Sequence, residues 1–406
     1  ERPLDAGVPQ VWVEPGGARP AMATLSARFY GNPASDLTMV GVTGTNGKTT
    51  VTHLVAGLLG VAGVRCGVIG TLDGVRTTPE APDLQRRLRH LRDDGHRAVA
   101  MEVSSHALSQ HRTDEVVFDV AAFTNLSRDH LDHHGSMEDY FSTKAKLFTP
   151  TAARHAVVCV DDPWGRRLAE EVVGLPVTTV SRADASDVAL GAGSTSFQWR
   201  GRRVTTPLTG AFNIDNALVA ATVATVLGMD ESQVAEGLAA AEPVRGRMEI
   251  VDAGPPFAVV VDYAHTPAAL SGALSAARDV AEGGRVVCLF GCGGDRDPGK
   301  RPEMGAVADG LADVVVLTSD NPRSEDPMAI IDAVRSGMEG AAELVVEVDR
   351  RTAIDRALRL ARAGDVVLLA GKGHEDTQTA GAVSVPFDDR VEACRALKRA
   401  GAGDRT

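Results

Sequence analysis

The sequence lacks the features that mark several large classes of protein. None of its apolar runs approaches the roughly 20 residues that a membrane-spanning helix needs, so we expect no membrane partner. Basic residues are not in excess: the formal net charge is −12 and the pI is about 5.4, which argues against a nucleic-acid partner. Short-period repeats and low-complexity segments are missing, which excludes repeat architectures.

Cysteine is scarce, and the five cysteines are odd in number and scattered. Cys288 and Cys292 are separated by three residues, but no second pair follows, so a zinc site is not expected. The sequence also begins without signal-peptide character. We therefore expect reduced, mostly buried thiols in a cytoplasmic protein.

The length of 406 residues, with 44% apolar and 24% charged residues, predicts a soluble globular protein of two or three domains. Residues 1–37 contain too little regular structure to close a core, and we interpret them as the remnant of an N-terminal domain. Strands and helices alternate over 38–243, which predicts a mostly parallel sheet covered by helices. A second alternating series over 244–406 predicts a separate, Rossmann-like doubly wound α/β domain after a Pro- and Gly-containing linker.

The predicted elements follow hydrophobic periodicity and turn residues. Strands are predicted at 38–43, 66–70, 97–103, 116–124, 155–160, 247–252, 257–262, 285–290, 313–318, 344–348 and 365–370, with two short antiparallel strands around Gly201. Helices are predicted at 47–60, 83–94, 136–148, 163–173, 213–227, 231–240, 267–281, 301–310, 327–339, 351–362 and 388–400.

The stretch that follows the first of these strands carries the clearest chemistry. It consists of Gly44, Thr45, Asn46, Gly47, Lys48, Thr49 and Thr50. A buried strand, a glycine loop and a helix that begins with Lys and Thr form the layout that cradles a nucleotide triphosphate. Lys48 supplies a positive charge, and the Thr49 hydroxyl is suited to Mg²⁺. The standard P-loop pattern requires Gly where this chain has Val42, so the motif belongs to a narrower class.

Polar clusters end two further strands of the first series. Glu102 lies at the end of strand 97–103, where a carboxylate beside a phosphate loop is able to hold Mg²⁺. An equally good interpretation is a loop carboxylate near the start of a helix. Residues 129–134 contain two acids and three histidines, which is unusual for a core. The helix at 136–148 carries Lys144 and Lys146, each of which would by itself be a solvated surface residue.

Taken together in chain order, these segments resemble the Mur ligases of peptidoglycan synthesis. The matching motifs are Gly-Thr-Asn-Gly-Lys-Thr-Thr (44–50), Met-Glu-Val-Ser-Ser-His (101–106), Thr-Asn-Leu-Ser-Arg-Asp-His-Leu-Asp (124–132), Lys-x-x-Leu-Phe (144–148), and the segments 210–216, 262–267, 291–297, 320–323 and 371–375. The resemblance runs from about residue 25 to near the end of the chain.

The resemblance implies an ATP-dependent amide ligase of cytoplasmic cell-wall precursor synthesis, a process tied to cell shape and division. The D-Glu carboxylate of UDP-MurNAc-L-Ala-D-Glu would attack the γ-phosphate of ATP, and the amine of meso-diaminopimelate would attack the resulting acyl phosphate. Two anions approach each other in the first step, so concentrated positive charge is required. The implied cofactors are ATP, two Mg²⁺ ions and CO₂ as a lysine carbamate, and we expect a monomer.

The resemblance also implies roles for individual residues. The catalytic residues would be Lys48, Glu102, His130 and a carbamylated Lys144, with Thr49, Glu102, His130 and Lys144 at the metal sites. ATP would contact 44–50, Asn213, Asn216, Arg247 and Asp262, and the muramoyl-peptide substrate would contact Thr77, Thr78, Ser104, Gln110 and Arg112. The spacing to Leu-Phe selects Lys144 over Lys146, which we expect at the surface. A carbamate would turn this cation into an anion able to bind or orient the second metal ion.

A second set of positions in the resemblance indicates which amino acid the enzyme would add. These are Arg296, Asp320, Asn321, Pro322, Arg323, Gly371 and Glu375. Arg323 after Asn-Pro resembles the form that selects meso-diaminopimelate, because a planar guanidinium pairs with its second carboxylate. A Lys-adding enzyme would have no use for this arginine, although a loop salt bridge is the alternative role.

The chain departs from the family pattern at one loop and leaves two rival functions open. Only six residues separate Gly70 from Thr77, fewer than the family usually has. One rival is a folylpolyglutamate synthetase-like ligase, which shares the architecture but fits the motifs at 77–80 and 320–323 poorly. The other is a catalytically inactive scaffold or binding protein, which the intact catalytic positions oppose.

Overall fold

The computed structural model describes residues 7, 12–74, 76–191, 193–251, 256–281 and 283–403. The contacts divide the chain into two compact units: one is Glu1–Leu126, Glu138–Ser181 and Leu218–Gly237, and the other is Ser127–Met137, Arg182–Ala217 and Leu238–Thr406. The three domains 1–37, 38–243 and 244–406 stay a prediction.

The helices are distributed over both units. In chain order they are α1 (Ala18–Phe29), α2 (Lys48–Val61), α3 (Ala81–Asp93), α4 (Ser105–Ser109), α5 (Leu131–His134), α6 (Met137–Ala145), α7 (Pro163–Glu171), α8 (Phe212–Val226), α9 (Glu231–Ala239), α10 (Pro267–Ala281), α11 (Lys300–Leu311), α12 (Pro327–Arg335), α13 (Arg350–Leu360) and α14 (Asp389–Gly403). Among the described residues, none of these helices has the length and apolar character needed to cross a membrane.

The first unit is built on one parallel sheet. Its strands are β1 (Thr38–Thr43), β2 (Cys66–Ile69), β3 (Ala98–Glu102), β4 (Val120–Phe123), β5 (Ala156–Cys159) and β6 (Val177–Val180). They lie in the order β2-β3-β1-β4-β5-β6, and every adjacent pair is parallel. The predicted parallel sheet is therefore confirmed. The prediction missed β6, whose first three residues are not buried and give no apolar run.

The sheet of the first unit sits against helices because its strands are apolar on both faces. Val40 and Val42 of the central strand β1 are fully buried, as are Val55 and Leu58 of α2. Contacts of α2 with β1, β2 and β3 place its first turn beside the carboxyl ends of those strands. Asp162 caps α7 by accepting hydrogen bonds from Trp164 N and Gly165 N. Strand ends and helix starts therefore meet at one edge, where α/β sheets bind ligands.

The second unit contains a second, doubly wound sheet. Its strands are β10 (Glu249–Ile250), β11 (Ala258–Asp262), β12 (Val286–Phe290), β13 (Val314–Leu317), β14 (Glu343–Val346) and β15 (Val366–Ala370), in the order β10-β11-β15-β12-β13-β14. All pairs are parallel except β10 with β11. The predicted strand 247–252 is shorter in the structure, and its last residue lies outside the described residues.

Helices cover both faces of this second sheet. Leu270 and Leu274 of α10 pack in one apolar cluster with Val315 and Leu368 of the strands. Residues of α13 and α14 pack in a second cluster, with strand residues that alternate with those of the first. Side chains of a strand point alternately to opposite faces, so continuous apolar strands bury both.

Two smaller sheets complete the second unit. Strands β7 (Ala185–Gly191), β8 (Ser194–Trp199) and β9 (Arg202–Thr206) form a three-stranded antiparallel sheet. The prediction had β8 and β9 but not β7, whose side chains are mostly exposed and mixed in polarity. Strands β16 (Thr377–Ala380) and β17 (Val383–Pro386) form an antiparallel hairpin that was not predicted.

Candidate active site

The phosphate loop lies between β1 and α2, as predicted. Gly44 and Gly47 have φ of 148° and 86°, in the range that favours glycine. A side chain at Gly44 would collide with the Thr124 hydroxyl, so the residue must be small as well as flexible. No side chain caps the start of α2, which leaves its first N–H groups directed out of the helix. Lys48 folds back over the loop and donates to Gly44 O at 2.9 Å and Thr45 O at 2.7 Å.

Residues that follow β4 hold the loop in this shape. Asn125 accepts from the Asn46 amide with its side-chain oxygen at 3.0 Å and from the Thr45 amide with its main-chain oxygen at 2.9 Å. The Thr124 hydroxyl donates to Asn46 O at 2.6 Å. These bonds fix a loop of main-chain N–H groups at a helix N-terminus, the arrangement that binds a polyphosphate.

Glu102 is the buried carboxylate beside this loop. It is 1% exposed at the end of β3, which pairs with β1 in the register Val42 with Glu102. It accepts the Thr49 hydroxyl at 3.0 Å, the Thr71 amide at 2.8 Å and the Thr71 hydroxyl at 3.1 Å. A side chain at Gly70 would collide with its carboxylate. Thr49 and Glu102, both predicted at the metal sites, are therefore in direct contact.

The Thr49 and Glu102 pair fits Mg²⁺. A hydroxyl and a carboxylate are hard oxygen ligands, and Mg²⁺ commonly takes one or two protein ligands while phosphates and water complete its shell. Among the described residues, no three His, Cys, Asp or Glu side chains converge on a self-sufficient metal site. The donor set thus suits an ion that is bound together with a nucleotide.

Lys144 lies at the same loop and is buried. It is 1% exposed on α6, and its ammonium donates to Gly44 O at 2.8 Å and lies 4.6 Å from the centre of the Tyr140 ring. Lys146, in the turn that follows α6, is exposed. The prediction that Lys146 is a surface residue is confirmed. Whether Lys144 is carbamylated stays a prediction.

The five predicted muramoyl-peptide contacts form one cluster in the first unit. Thr78 is fully buried, and its hydroxyl bonds to Glu102 O at 2.8 Å and lies 3.3 Å from the Ser104 hydroxyl. Arg112 donates to Thr78 O at 2.9 Å, pairs with Glu80 at 2.9 Å and bonds to the Gln110 side chain. Thr77 bonds to the Thr71 hydroxyl at 3.1 Å.

Arg112 is the charged member of this cluster. It is 6% exposed, and burial lowers the pKa of its guanidinium, against the opposing effect of Glu80. Within the part of the chain that the structure describes, its Nε has no hydrogen-bond partner. A buried cation that keeps one donor unused is suited to a polar, anionic ligand.

The predicted adenine-side residues lie in the second unit. Asn213, in the first turn of α8, donates to Thr209 O at 2.8 Å and accepts from Asn216 at 2.9 Å. Arg247 lies over the Tyr263 ring, 4.5 Å from its centre. Asp262, at the end of β11, accepts from the amides of Met248 and Ala264 at 2.7 and 2.8 Å, while burial raises its pKa.

His130 belongs to a cluster of charged and basic residues around the buried Asp129 in the second unit. The sequence analysis identified residues 129–134 but not their partners His265 and Lys300. Asp129 is 4% exposed and lies 3.5 Å from His130, 3.4 Å from His265 and 3.3 Å from Lys300. Burial alone would raise the pKa of Asp129, but the bond to His265 and the charges of His130 and Lys300 outweigh it and hold that pKa well below its usual range. Asp129 thus stays ionised and fixes three cationic or basic groups.

The predicted amino-acid site is formed by three loops at the carboxyl ends of neighbouring strands β15, β12 and β13. Asn321 donates to Glu375 at 2.8 Å, and the fully buried Lys372 donates to the same carboxylate oxygen at 3.0 Å. A side chain at Gly371 would lie 2.9 Å from the Asp320 carboxylate, so glycine keeps these loops close.

The two arginines of this site differ in their settings. Arg323 has φ of 51° and directs its guanidinium at Gly294 O, 2.7 Å away. Arg296 bonds to the main chain of its neighbour Asp295 at 3.2 Å in an exposed position. The main-chain oxygen of Pro322 lies so close to Gly294 that a side chain at position 294 would collide with it. Asp320, Asn321, Arg323, Gly371 and Glu375 therefore come together, with Arg296 in the neighbouring loop.

Comparison with known proteins places this arrangement in a family. Residues 42–224 match the family description "Mur ligase middle domain", and residues 246–373 match "Mur ligase, glutamate ligase domain". The UDP-N-acetylmuramoyl-L-alanyl-D-glutamate--2,6-diaminopimelate ligase of Streptomyces coelicolor is 46% identical over 425 residues, covering 98% of this chain and 83% of the relative. The ligase of the same name from Pseudomonas aeruginosa is 45% identical over 401 residues, covering 94% and 82%.

Solved structures give the same result for the fold. A structure of a UDP-N-acetylmuramoyl-L-alanyl-D-glutamate--2,6-diaminopimelate ligase superposes with a TM-score of 0.65 at 34% identity, covering 98% of this chain and 86% of that one. Folylpolyglutamate synthase of Mycobacterium tuberculosis superposes with a TM-score of 0.71, but at 21% identity, covering 86% and 92%. The second likeness shows a shared fold only.

The chain belongs to the Mur ligase family, and it is a ligase. The relatives that share about 45% of its residues are named as the ligases that join 2,6-diaminopimelate to UDP-N-acetylmuramoyl-L-alanyl-D-glutamate. The likeness expected from the motifs is thereby confirmed.

The sequence analysis did not predict three residues that hold the candidate site residues in place. Thr71 holds Glu102 through two bonds, Lys300 pairs with Asp129, and Lys372 lies against Glu375. Thr71 and Lys372 each follow a glycine at the end of a strand, a position that could have drawn attention to them. Lys300 gave no such signal, because its partner lies 171 positions earlier in the chain.

Proposed function

We propose that this protein is an ATP-dependent ligase that adds meso-diaminopimelate to UDP-MurNAc-L-Ala-D-Glu through an acyl-phosphate intermediate. The observation that carries the proposal is the Asp320–Arg323 loop at the carboxyl end of β13, whose asparagine bonds to Glu375 and whose arginine bonds to Gly294 O in the neighbouring loop. This site accompanies a phosphate loop with a buried carboxylate in a chain 46% identical to a diaminopimelate-adding ligase.

The first step joins the substrate carboxylate to phosphate. An oxygen of the D-Glu carboxylate attacks the γ-phosphorus of ATP, the bond to the β-phosphate oxygen breaks, and ADP leaves. Lys48 and the loop N–H groups bind the phosphates, and Thr49 and Glu102 would hold Mg²⁺. When bound, Mg²⁺ neutralises phosphate charge and lets the two anions meet. A carbamylated Lys144 would add a second anionic ligand, and His130 would offer a neutral imidazole nitrogen.

The second step forms the amide. The amine of meso-diaminopimelate attacks the acyl carbon, loses a proton, and phosphate leaves. Arg323 would pair with the second carboxylate, and Gly371 and Glu375 would contact the ammonium and carboxylate at that same distal end, with Asn321 beside them. Arg112, Thr77, Thr78, Ser104 and Gln110 would hold the muramoyl peptide. Asn213, Asn216, Arg247 and Asp262 would serve the nucleotide. We further propose that the protein acts as a monomer in the cytoplasm.

The test is substrate-dependent phosphate release with UDP-MurNAc-L-Ala-D-Glu and three amino acids in parallel. We expect meso-diaminopimelate to exceed L-lysine and L-ornithine by at least about 100-fold in kcat/KM, because without the second carboxylate Arg323 loses its partner. Arg323→Lys, which keeps the charge but loses the planar fork, should lower this ratio. Equal rates with L-lysine would refute the role of Arg323.

Two controls separate the rival functions. A folate substrate with glutamate should give no phosphate release, whereas a folylpolyglutamate synthetase-like ligase would use it. Phosphate release should also require both the muramoyl dipeptide and the amino acid. No release with any combination would support the inactive scaffold instead.

A further inference from the structure

The β16–β17 hairpin lies outside both large sheets, yet its first strand is bonded to the loop that carries Arg323. The Arg323 amide donates to Thr379 O at 3.1 Å, and the Gly381 amide donates to Arg323 O at 2.6 Å. Arg323 and Ala380 form a parallel β-bridge. Both main-chain polar groups of Arg323 are therefore held by the hairpin.

Two side chains extend this junction. Gln378, half-buried on β16, donates from Nε2 to Asp320 O at 2.7 Å. Asn321 accepts the Thr379 amide at 2.8 Å with its side-chain oxygen, and its side-chain nitrogen donates to Glu375 at 2.8 Å. Hydrogen bonds from one hairpin thus reach Asp320, Asn321 and Arg323, all predicted contacts of the amino acid.

The backbone of Arg323 explains why such support is needed. Its φ of 51° lies in the left-handed region, which costs a branched or long side chain about 1 kcal/mol or more. A residue keeps this conformation only where its surroundings hold it. Here the hairpin bonds to Arg323 from both sides, and the guanidinium direction follows from that backbone.

We propose that the β16–β17 hairpin positions the amino-acid-binding loop, with Gln378 as a positioning residue that sets selectivity for the second carboxylate. This inference rests on the proposed function. Gln378 does not contact the reacting atoms; its effect is carried through Asp320 O and the loop that follows. The hairpin itself is largely exposed, with Val383 63% exposed, so it supports the loop without belonging to a core.

The test compares Gln378→Leu with Thr379→Ala in the full chain. Leucine keeps the size of glutamine but removes the donor to Asp320 O. Among the described residues, the hydrogen bonds of Thr379 to the loop come from its main chain, and its hydroxyl bonds to Ser384 at 3.2 Å, so alanine at this position should keep the junction. We expect Gln378→Leu to raise KM for meso-diaminopimelate about tenfold, as loss of one buried hydrogen bond does. KM for ATP and for the muramoyl dipeptide should stay unchanged, and preference over L-lysine should fall.

Hydrogen exchange gives a readout that does not depend on activity. The amide of Arg323 should exchange faster in Gln378→Leu than in the wild type, and Thr379→Ala should match the wild type. Unchanged exchange and unchanged KM in Gln378→Leu would overturn the inference. So would a uniform rise in all three KM values with a lowered melting temperature, since that indicates general destabilisation. A wild-type protein without ligase activity would refute the proposed function, and the exchange comparison would still decide whether the hairpin holds the loop.

Discussion

At the scale of single residues, the buried lysine at the phosphate loop is the most unusual feature. Lys144 is 1% exposed and close to Gly44 O, at the place where ATP and its metal ions are expected. An unmodified ammonium would repel a nearby cation, whereas a carbamate would attract it. Carbamylation of Lys144, which stays a prediction, would remove this repulsion once nucleotide and metal are bound.

Lys144→Ala should remove this anion and lower kcat by about 100-fold or more, as loss of a charge-stabilising group does. Short carboxylic acids such as acetate should partly restore activity by occupying the space that the carbamate leaves. The measurement is phosphate release at several acetate concentrations, with Lys146→Ala as a control because that lysine is exposed in the turn just after the helix. Undiminished activity of Lys144→Ala without acetate would rule the carbamate out.

At the scale of elements, one buried ion pair ties α13 to α14 below the amino-acid site. Arg350 and Asp389 are both fully buried and bonded at 2.8 and 2.6 Å. Arg350 also donates to Ala370 O at 2.9 Å and Ser319 O at 3.4 Å, the carbonyls just before Gly371 and Asp320. The pair thus links two helices with the ends of two strands.

Arg350→Met should destabilise the protein by about 3 to 5 kcal/mol, because Asp389 would be left as an unpaired buried charge. Adding Asp389→Leu should recover much of this loss, since the second charge is then gone as well. Arg356 lies on the same helix as Arg350 and forms an exposed ion pair with Glu347, which precedes the helix. Arg356→Met should therefore cost less than about 1 kcal/mol. Denaturant unfolding of the wild type, Arg350→Met, the double variant and the Arg356→Met control measures these differences. A double variant as unstable as Arg350→Met would contradict the explanation.

Also at this scale, the sequence predicted elements with a clear apolar pattern and missed those without one. The strands of both large sheets, except β6, were predicted because continuous apolar runs such as Val314–Leu317 are fully buried. The hairpin β16–β17 is polar or exposed at most positions, so no periodicity indicated it. Its role depends on a hydrogen bond between Gln378 and Asp320, 58 positions apart, which only the folded chain reveals.

At the scale of the whole molecule, fold similarity and sequence similarity lead to different conclusions about function. The folylpolyglutamate synthase superposes better than the diaminopimelate ligase, with TM-scores of 0.71 and 0.65. Identity reverses that order, at 21% and 34%. In the proposed function, substrate choice depends on a few residues at strand ends, such as Arg323, to which a global superposition gives little weight.

The response of the whole protein to acid separates into two pH windows. Burial, assisted by the nearby Arg247 and Arg245, lowers the pKa of His374 from 6.5 to about 4, and burial also lowers that of His155. Amide hydrogen bonds from residues such as Ala342 lower the pKa of the Asp309 carboxyl. Carboxylates of this kind lose their stabilising effect only below about pH 4. Between pH 6.5 and 4, these two histidines therefore contribute to the pH dependence of stability.

The sign follows from proton uptake. In that window the unfolded chain binds a proton at His374 and the folded chain does not, so stability falls as the pH falls. For His374 alone we expect a loss of about 1 to 2 kcal/mol between pH 7 and 5. His374→Gln should remove that part of the pH dependence, and His90→Gln, at an exposed position on α3, should leave it unchanged. Urea unfolding at the two pH values measures the difference. The same pH dependence in His374→Gln as in the wild type would show that His374 is not the group responsible. If the pH dependence of the unfolding free energy becomes weaker in His374→Gln but not in His90→Gln, His374 is the group responsible. The neutral His374 ring, which packs beside Tyr263, would then be an acid-sensitive part of the second unit.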